Sequence, residues 1–506
     1  MARHSSRREF LGATTLGAAA FAGGWSWLGR LPRVSAAEAT LRGIPASADR
    51  VTSLVRLIEE TPREQLLDEV AGRIRAGASY REVLAGLLLA GVRNVQPRPA
   101  VGFKFHAVLV VNSCHLASLS GPDEDRWLPI FWALDYFKSA QADEQRRGGW
   151  QMPEPPEGRL PEAAAARDAF TDAMNRWDVE AADAATVSLV RTAGAVDVFH
   201  QFAQFAARDF RSIGHKAIFL ANAWRTLQVI GWEYAEPVLR SLTFALLNHS
   251  DEPNPAENDL PADRAWRQNE ALVARIPAGW LAGAADSQAT RDLLDAYRNA
   301  PPQAAAEAAV EMLARGVSPQ SLWDGVFVGS GELLMQQPGI VALHGLTTAN
   351  AMHYLWANVG DETLRKRLLL QSSAFNSHFR EAARGRGDLS PTRVDDLASQ
   401  AEGLTPSLES ITAAISSNRG QAAAELQAWL TSGGDPAEFI AASRRLIFLK
   451  GRDSHDYKFS SAVLEDYGHI SPEWRDRFLA MSVFNLKGTG DRDNDLVQRT
   501  RAALHA

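Results

Sequence analysis

Cysteine is almost missing from this chain: Cys114 stands alone among 506 residues. One thiol excludes a disulfide framework, a cysteine-based zinc site and a c-type haem attachment. Basic charge is short as well, with 53 Lys and Arg against 60 Asp and Glu, a formal net charge of −7. That balance lacks the electrostatic footprint of a nucleic-acid binder, and no nucleic-acid partner is expected. Compact metal motifs of the HExxH or HxH kind do not occur. Gly329-Ser330-Gly331 lacks the third glycine and the preceding strand of a dinucleotide loop, so no nicotinamide or other electron donor is assigned. Alternating apolar and polar residues are scarce, which argues against a sheet.

The first residues carry a different signal. Ser5-Ser6-Arg7-Arg8-Glu9-Phe10-Leu11 is close to the twin-arginine consensus, a weakly apolar run reaches Leu28, and Val34-Ser35-Ala36 offers small residues for a signal peptidase. Gly12, Gly17, Gly23 and Gly24 break the run, and a stable anchor needs about 20 strongly apolar residues. The expectation is a Tat signal peptide over residues 1–36, removed on export to the periplasm, with the Tat translocase as a transient partner and no stable membrane insertion. Removal takes away five arginines and one glutamate, moving the net charge from −7 to −11. The Tat route carries folded cargo, which suits a protein loaded with its cofactor before export.

Helical periodicity dominates the rest. Thr61-Pro62-Arg63-Glu64 is a helix start, and long amphipathic or apolar stretches cover Phe105–Leu119, Leu128–Glu144, Glu162–Ala193, Ala195–Ser212, His215–Trp232, Ile340–Val359, Glu362–Phe379 and His455–Tyr467. Pro and Gly mark loops at Gly148–Leu160, Ser250–Asp263 and Gly385–Pro391. The expected fold is all-α: one large helical domain over residues 37–506 built from repeated helical hairpins, undivided or in two lobes meeting near Ser250–Asp263.

A spacing recurs. His106, Asn112 and His115 follow H-x5-N-x2-H, and His344, Asn350 and His353 repeat it; His215, Asn222 and Arg225 form a looser third copy. At about 100° per residue, His106 and His115 point to opposite sides of a regular helix, as do His344 and His353. One histidine of each copy is therefore expected to face a buried site, and the other to pair with its asparagine or with an adjacent helix. A fourth candidate is His455 in Asp453-Ser454-His455-Asp456-Tyr457-Lys458, where Lys458 lies one helical turn further on. Imidazole is the commonest metal ligand, and several together suit Fe, Zn, Cu or Ni. A lysine desolvated against apolar surface loses its charge, so Lys458 could ligate a metal, act as a catalytic base, or take up carbon dioxide as a carbamate. The plainer alternative is that these histidines are hydrogen-bonded core residues. Asp209, six residues before His215, is read either as an orienting acid or as a surface residue.

Three blocks, Phe105-His106-Ala107-Val108, Leu343-His344-Gly345-Leu346-Thr347 and Asp453-Ser454-His455-Asp456-Tyr457-Lys458, resemble the questin oxidase-like family of helical oxygenases. The match departs at Val110, where no second histidine follows His106 by four residues, and at the extra threonine, Thr348. The resemblance implies an all-helical oxygenase that acts on polycyclic aromatic ketones by oxidative ring opening, and the expected function is an oxidoreductase activating dioxygen against an aromatic or polyketide-like small molecule. It further implies a non-haem iron held by His106, His215, His344 and His455, with Lys458, free or carbamylated, as ligand or catalytic base. His115, Asn112, His353 and Asn350 would then support the ligands from outside. The contrasting expectation, from the residues alone, is a non-catalytic helical-repeat binding protein whose histidines are structural.

Overall fold

The computed structural model describes residues 47–97, 105–121, 123 and 126–496. The signal-peptide expectation at residues 1–36 lies outside them. The fold is all-α: among the described residues the only β feature is one isolated bridge, Ala284 with Val317. Five helices matter most for the site. They are α1 (His106–Leu109), α2 (Val111–Ser120), α3 (His215–Ile230), α4 (Ile340–Asn358) and α5 (Ser454–Asp466). α2 packs on α3, α3 on α4, α4 on α5 and α5 back on α2, so four helices close a ring.

The sequence explains why this ring lies inside. From Val341 to His353 every residue of α4 is buried, and a helix that is apolar all round belongs in a core. The helix Pro319–Gln336 is buried to nearly the same extent and covers α4. Gly329-Ser330-Gly331 therefore lies in mid-helix, where a Cβ on Gly329 would stand 2.8 Å from the Tyr297 ring and 2.9 Å from Asn376 Oδ1. Glycine there permits close helix packing rather than phosphate binding. Each fully buried Leu or Phe around the ring contributes about 1.5–3 kcal/mol through burial.

Several expected helices are cut shorter. The stretch Phe105–Leu119 divides at Val110 into α1 and α2. Glu162–Ala193 divides where Trp177 turns left-handed at φ 58° and Asp178 caps the next helix through the Ala181 N–H. Ala195–Ser212 stops at Ala207, because the chain from Asp209 to Gly214 is needed for a tight loop. The helix Ser287–Asn299 falls in a stretch the periodicity left unassigned; Asp286 caps it through the N–H groups of Gln288 and Ala289.

Candidate metal centre

Each imidazole of the centre sits at or near the start of a helix. His106 opens α1, His215 opens α3, and His344 lies in the first turns of α4. All three are buried. His215 is the hub: its Nε2 lies 3.0 Å from His106 Nε2 and 3.0 Å from His344 Nε2. One ligand atom from each of the three falls within 4.8 Å of the others, so the group could hold a metal ion.

The tautomers are set by backbone. His215 Nδ1–H donates to the Ser212 carbonyl at 2.6 Å, and His344 Nδ1–H donates to the Ile340 carbonyl at 2.6 Å. A carbonyl only accepts, so the proton of each neutral ring is on Nδ1 and Nε2 is left as a lone pair. Burial, with help from the nearby Lys458, pushes both rings well below the usual histidine range, which keeps them neutral. Two bare lone pairs facing each other at 3.0 Å repel. A shared cation between them removes the conflict, and imidazoles oriented by carbonyl acceptors are the usual form of metal-binding histidine.

Lys458 completes one side. Its Nζ is 3.5 Å from His215 Nε2. Burial lowers the ammonium to about 7, with Asp453 opposing. His455 stands at the rim: its ring centroid is 4.5 Å from that of His106 and 5.2 Å from that of His344. Its Nε2 is buried without a hydrogen-bond partner, while Nδ1 approaches Asp453 at 3.5 Å. Such an orphaned nitrogen beside three convergent ones fits a fourth ligand. Asp453 also caps α5, accepting from the N–H groups of His455 and Asp456. Burial alone would raise its carboxyl, but those bonds and His455 hold it at about 2.

The outer residues of the repeat go elsewhere. Neither asparagine bonds its own histidine. Asn112 Nδ2 lies 3.4 Å from Asn222 Oδ1, and Asn222 donates to the Leu109 carbonyl at the break between α1 and α2. His115 meets the Tyr80 hydroxyl at 3.0 Å. Asn350 donates to Glu465 and Asp466, and Arg225 donates to Asn350 Oδ1. His353 packs among Trp323, Phe327, Trp356 and His469. The first histidines of the recurrent spacing thus converge on the centre, while its later residues contact neighbouring helices. Glu465, Asp466 and His469 form a second close group at the end of α5, but Arg225 and Asn350 already serve its carboxylates.

Two features lay beyond sequence reading. The carbonyls of Ser212 and Ile340 are backbone groups with no side-chain signature. The loop that aims Ser212 was hinted at only by Gly214. Comparison with family models, with curated proteins and with solved structures finds no match to this chain.

Proposed function

We propose that this protein is an exported, metal-dependent oxidoreductase, a non-haem iron oxygenase acting on an aromatic or polyketide-like small molecule. The observation that carries the reading is the convergence of three imidazole nitrogens, two of them fixed in tautomer by backbone carbonyls. The resemblance in the blocks around His106, His344 and His455 supplies the reaction class, and the twin-arginine motif at Arg7 and Arg8 supplies the export. His106, His215 and His344 would hold the ion, with His455 as a fourth ligand after a small ring movement. When bound, such an ion would supply open positions at which dioxygen and substrate meet.

Besides ligating the ion directly, Lys458 has two roles open to it, all three needing a neutral amine. It can take a proton from bound substrate. It can also add carbon dioxide, forming an N–C bond and releasing one proton to solvent, to become a carbamate. Neutral imidazoles leave a dication uncompensated, and the helix starts at His215 and Ser454 add positive potential. A carbamate would provide the missing negative charge.

The test is elemental analysis of purified protein, with Lys458→Met, Lys458→Arg and the distant Lys366→Met alongside. Wild type and Lys366→Met are expected to hold about one metal per chain. Lys458→Met should fold with unchanged helical content yet lose metal or turnover steeply, and Lys458→Arg should fail too, since guanidinium stays charged. Wild-type protein that takes up no metal after exposure to ferrous iron would sink the proposal and leave the histidines as core residues.

A further inference from the structure

Three consecutive residues before α3 are left-handed: Ser212 at φ 57°, Ile213 at φ 44° and Gly214 at φ 82°. Two of them carry a Cβ and one is β-branched, so this backbone is strained and persists only where its surroundings impose it. The loop has a direct consequence for the centre. It turns the Ser212 carbonyl onto His215 Nδ1, and so decides where the His215 Nε2 lone pair points.

The surroundings that impose it centre on Asp209, whose side chain is fully buried. One oxygen, Oδ1, accepts from the Arg211 backbone N–H at 2.9 Å, where the loop begins. The other, Oδ2, accepts from Lys216 Nζ at 2.6 Å, in the first turn of α3 just after His215. One carboxylate therefore spans the left-handed turn from its entry to its exit. Both ends are tied down further. Arg211 forms a paired bridge to Asp263 at 2.6 and 2.8 Å, and Lys216 donates to the Asn248 carbonyl at 2.9 Å. On the far side, Thr348 of α4 fills the space beside Gly214.

We infer that Asp209 is a positioning residue of the metal centre: by stapling Arg211 to Lys216 it holds the strained loop whose Ser212 carbonyl orients His215. The inference rests on the metal reading above and adds to it a residue that touches neither ion nor substrate. A group hydrogen-bonded to a ligating imidazole, as the Ser212 carbonyl is to His215, tunes affinity by about 10- to 100-fold, and Asp209 acts through that group.

The experiment titrates the metal-free full chain with Co2+, following its ligand-field absorption, and records thermal unfolding in parallel. Asp209→Asn alone strands the Lys216 ammonium in the interior, so the decisive variant is Asp209→Asn with Lys216→Met, which removes both charges. The control is a buried pair of the same kind away from the centre, Asp183 with Arg240, bridged at 2.8 and 2.9 Å, changed to Asp183→Asn with Arg240→Met. The first pair should raise the Co2+ Kd about 10- to 100-fold and alter the spectrum, while the control should lower the unfolding temperature and leave Kd and spectrum at wild type. Asp209→Glu, which keeps the charge but moves it by one methylene, should fall between and serves if the paired variant does not fold. Wild-type Kd and spectrum in the Asp209 variants, or equal weakening in the control, would overturn the inference. Absence of Co2+ binding by wild-type protein would instead remove the metal reading beneath it, so the two failures are told apart.

Discussion

Gly214 meets two demands that no other residue satisfies together. Its φ of 82° lies in the left-handed region, and a Cβ there would collide with the Thr348 side chain. Gly214→Ala is therefore expected to lower stability by about 2 kcal/mol or more, from strain and overpacking combined. Chemical denaturation measures it. Adding Thr348→Ala should return only part of the loss, because the steric component is relieved and the backbone component is not. Full recovery in the double variant would show that left-handed geometry costs nothing here. The site depends on the same residue, since Gly214 directly precedes His215 and ends the loop that carries Ser212. Nothing in the local sequence Ser212-Ile213-Gly214 announces three left-handed residues, two of which are ordinarily averse to that conformation.

Helices deliver the ligands, and their first turns are where the site is most exposed to change. α5 brings His455 and Lys458 in its first five residues, and Asp453 secures that turn through a capping box with Asp456. Asp453→Ala should cost about 1 kcal/mol and fray the turn, so metal retention during dialysis should fall with it. Asp453→Ser, whose hydroxyl can accept the same N–H bonds, should recover most of the stability; retention that follows stability across the pair would identify the cap as the cause. A Ser variant no more stable than Ala would instead put the effect in the charge beside His455. The break at Val110 is a second element-level feature. Phe105–Leu119 reads as one helix, yet Asn222 from α3 donates to the Leu109 carbonyl, and that outside bond helps end α1 before α2 begins. His106 faces the centre while His115 faces Tyr80, as residues nine apart on a helix lie on opposite sides.

At the scale of the whole molecule, buried histidines make the fold sensitive to acid. Burial holds His115 at about 4, with Arg126 adding to the effect, and His353 at about 3, with His469 and Arg225 adding to it. Neither belongs to the proposed ligand set. In the unfolded chain both titrate near the ordinary 6.5. As pH falls through 6.5 the unfolded chain binds protons that the folded chain refuses, so stability declines from there until the folded values are passed. By pH 5 each should cost about 2 kcal/mol. Denaturation curves at pH 7, 6 and 5 on wild type and on His115→Gln with His353→Gln provide the check. The double variant should have the shallower pH slope, and parallel slopes would mean that these rings do not set the acid limit.

What the sequence determined by itself was the helical class and the ligand candidates. Apolar residues on every face mark a segment such as Ile340–Val359 as a helix destined for the interior, because composition and period are read locally even though burial itself needs partners. His106, His215 and His344 stood out through a recurrent spacing, and they do converge; Lys458 was legible from its place one turn after His455. Tertiary structure decided the rest. The partners of Asn112, Asn350, His115 and His353 come from helices distant in the chain, so no spacing could assign them. Asp209 reads first as a surface acid and only second as an orienting one, until Lys216 and the Arg211 N–H are seen on its two oxygens. The tautomers of His215 and His344 depend on the carbonyls of Ser212 and Ile340, one presented by a strained loop and one by the first turn of a helix. A backbone acceptor has no residue type to read. Its direction exists only once the chain around it has packed.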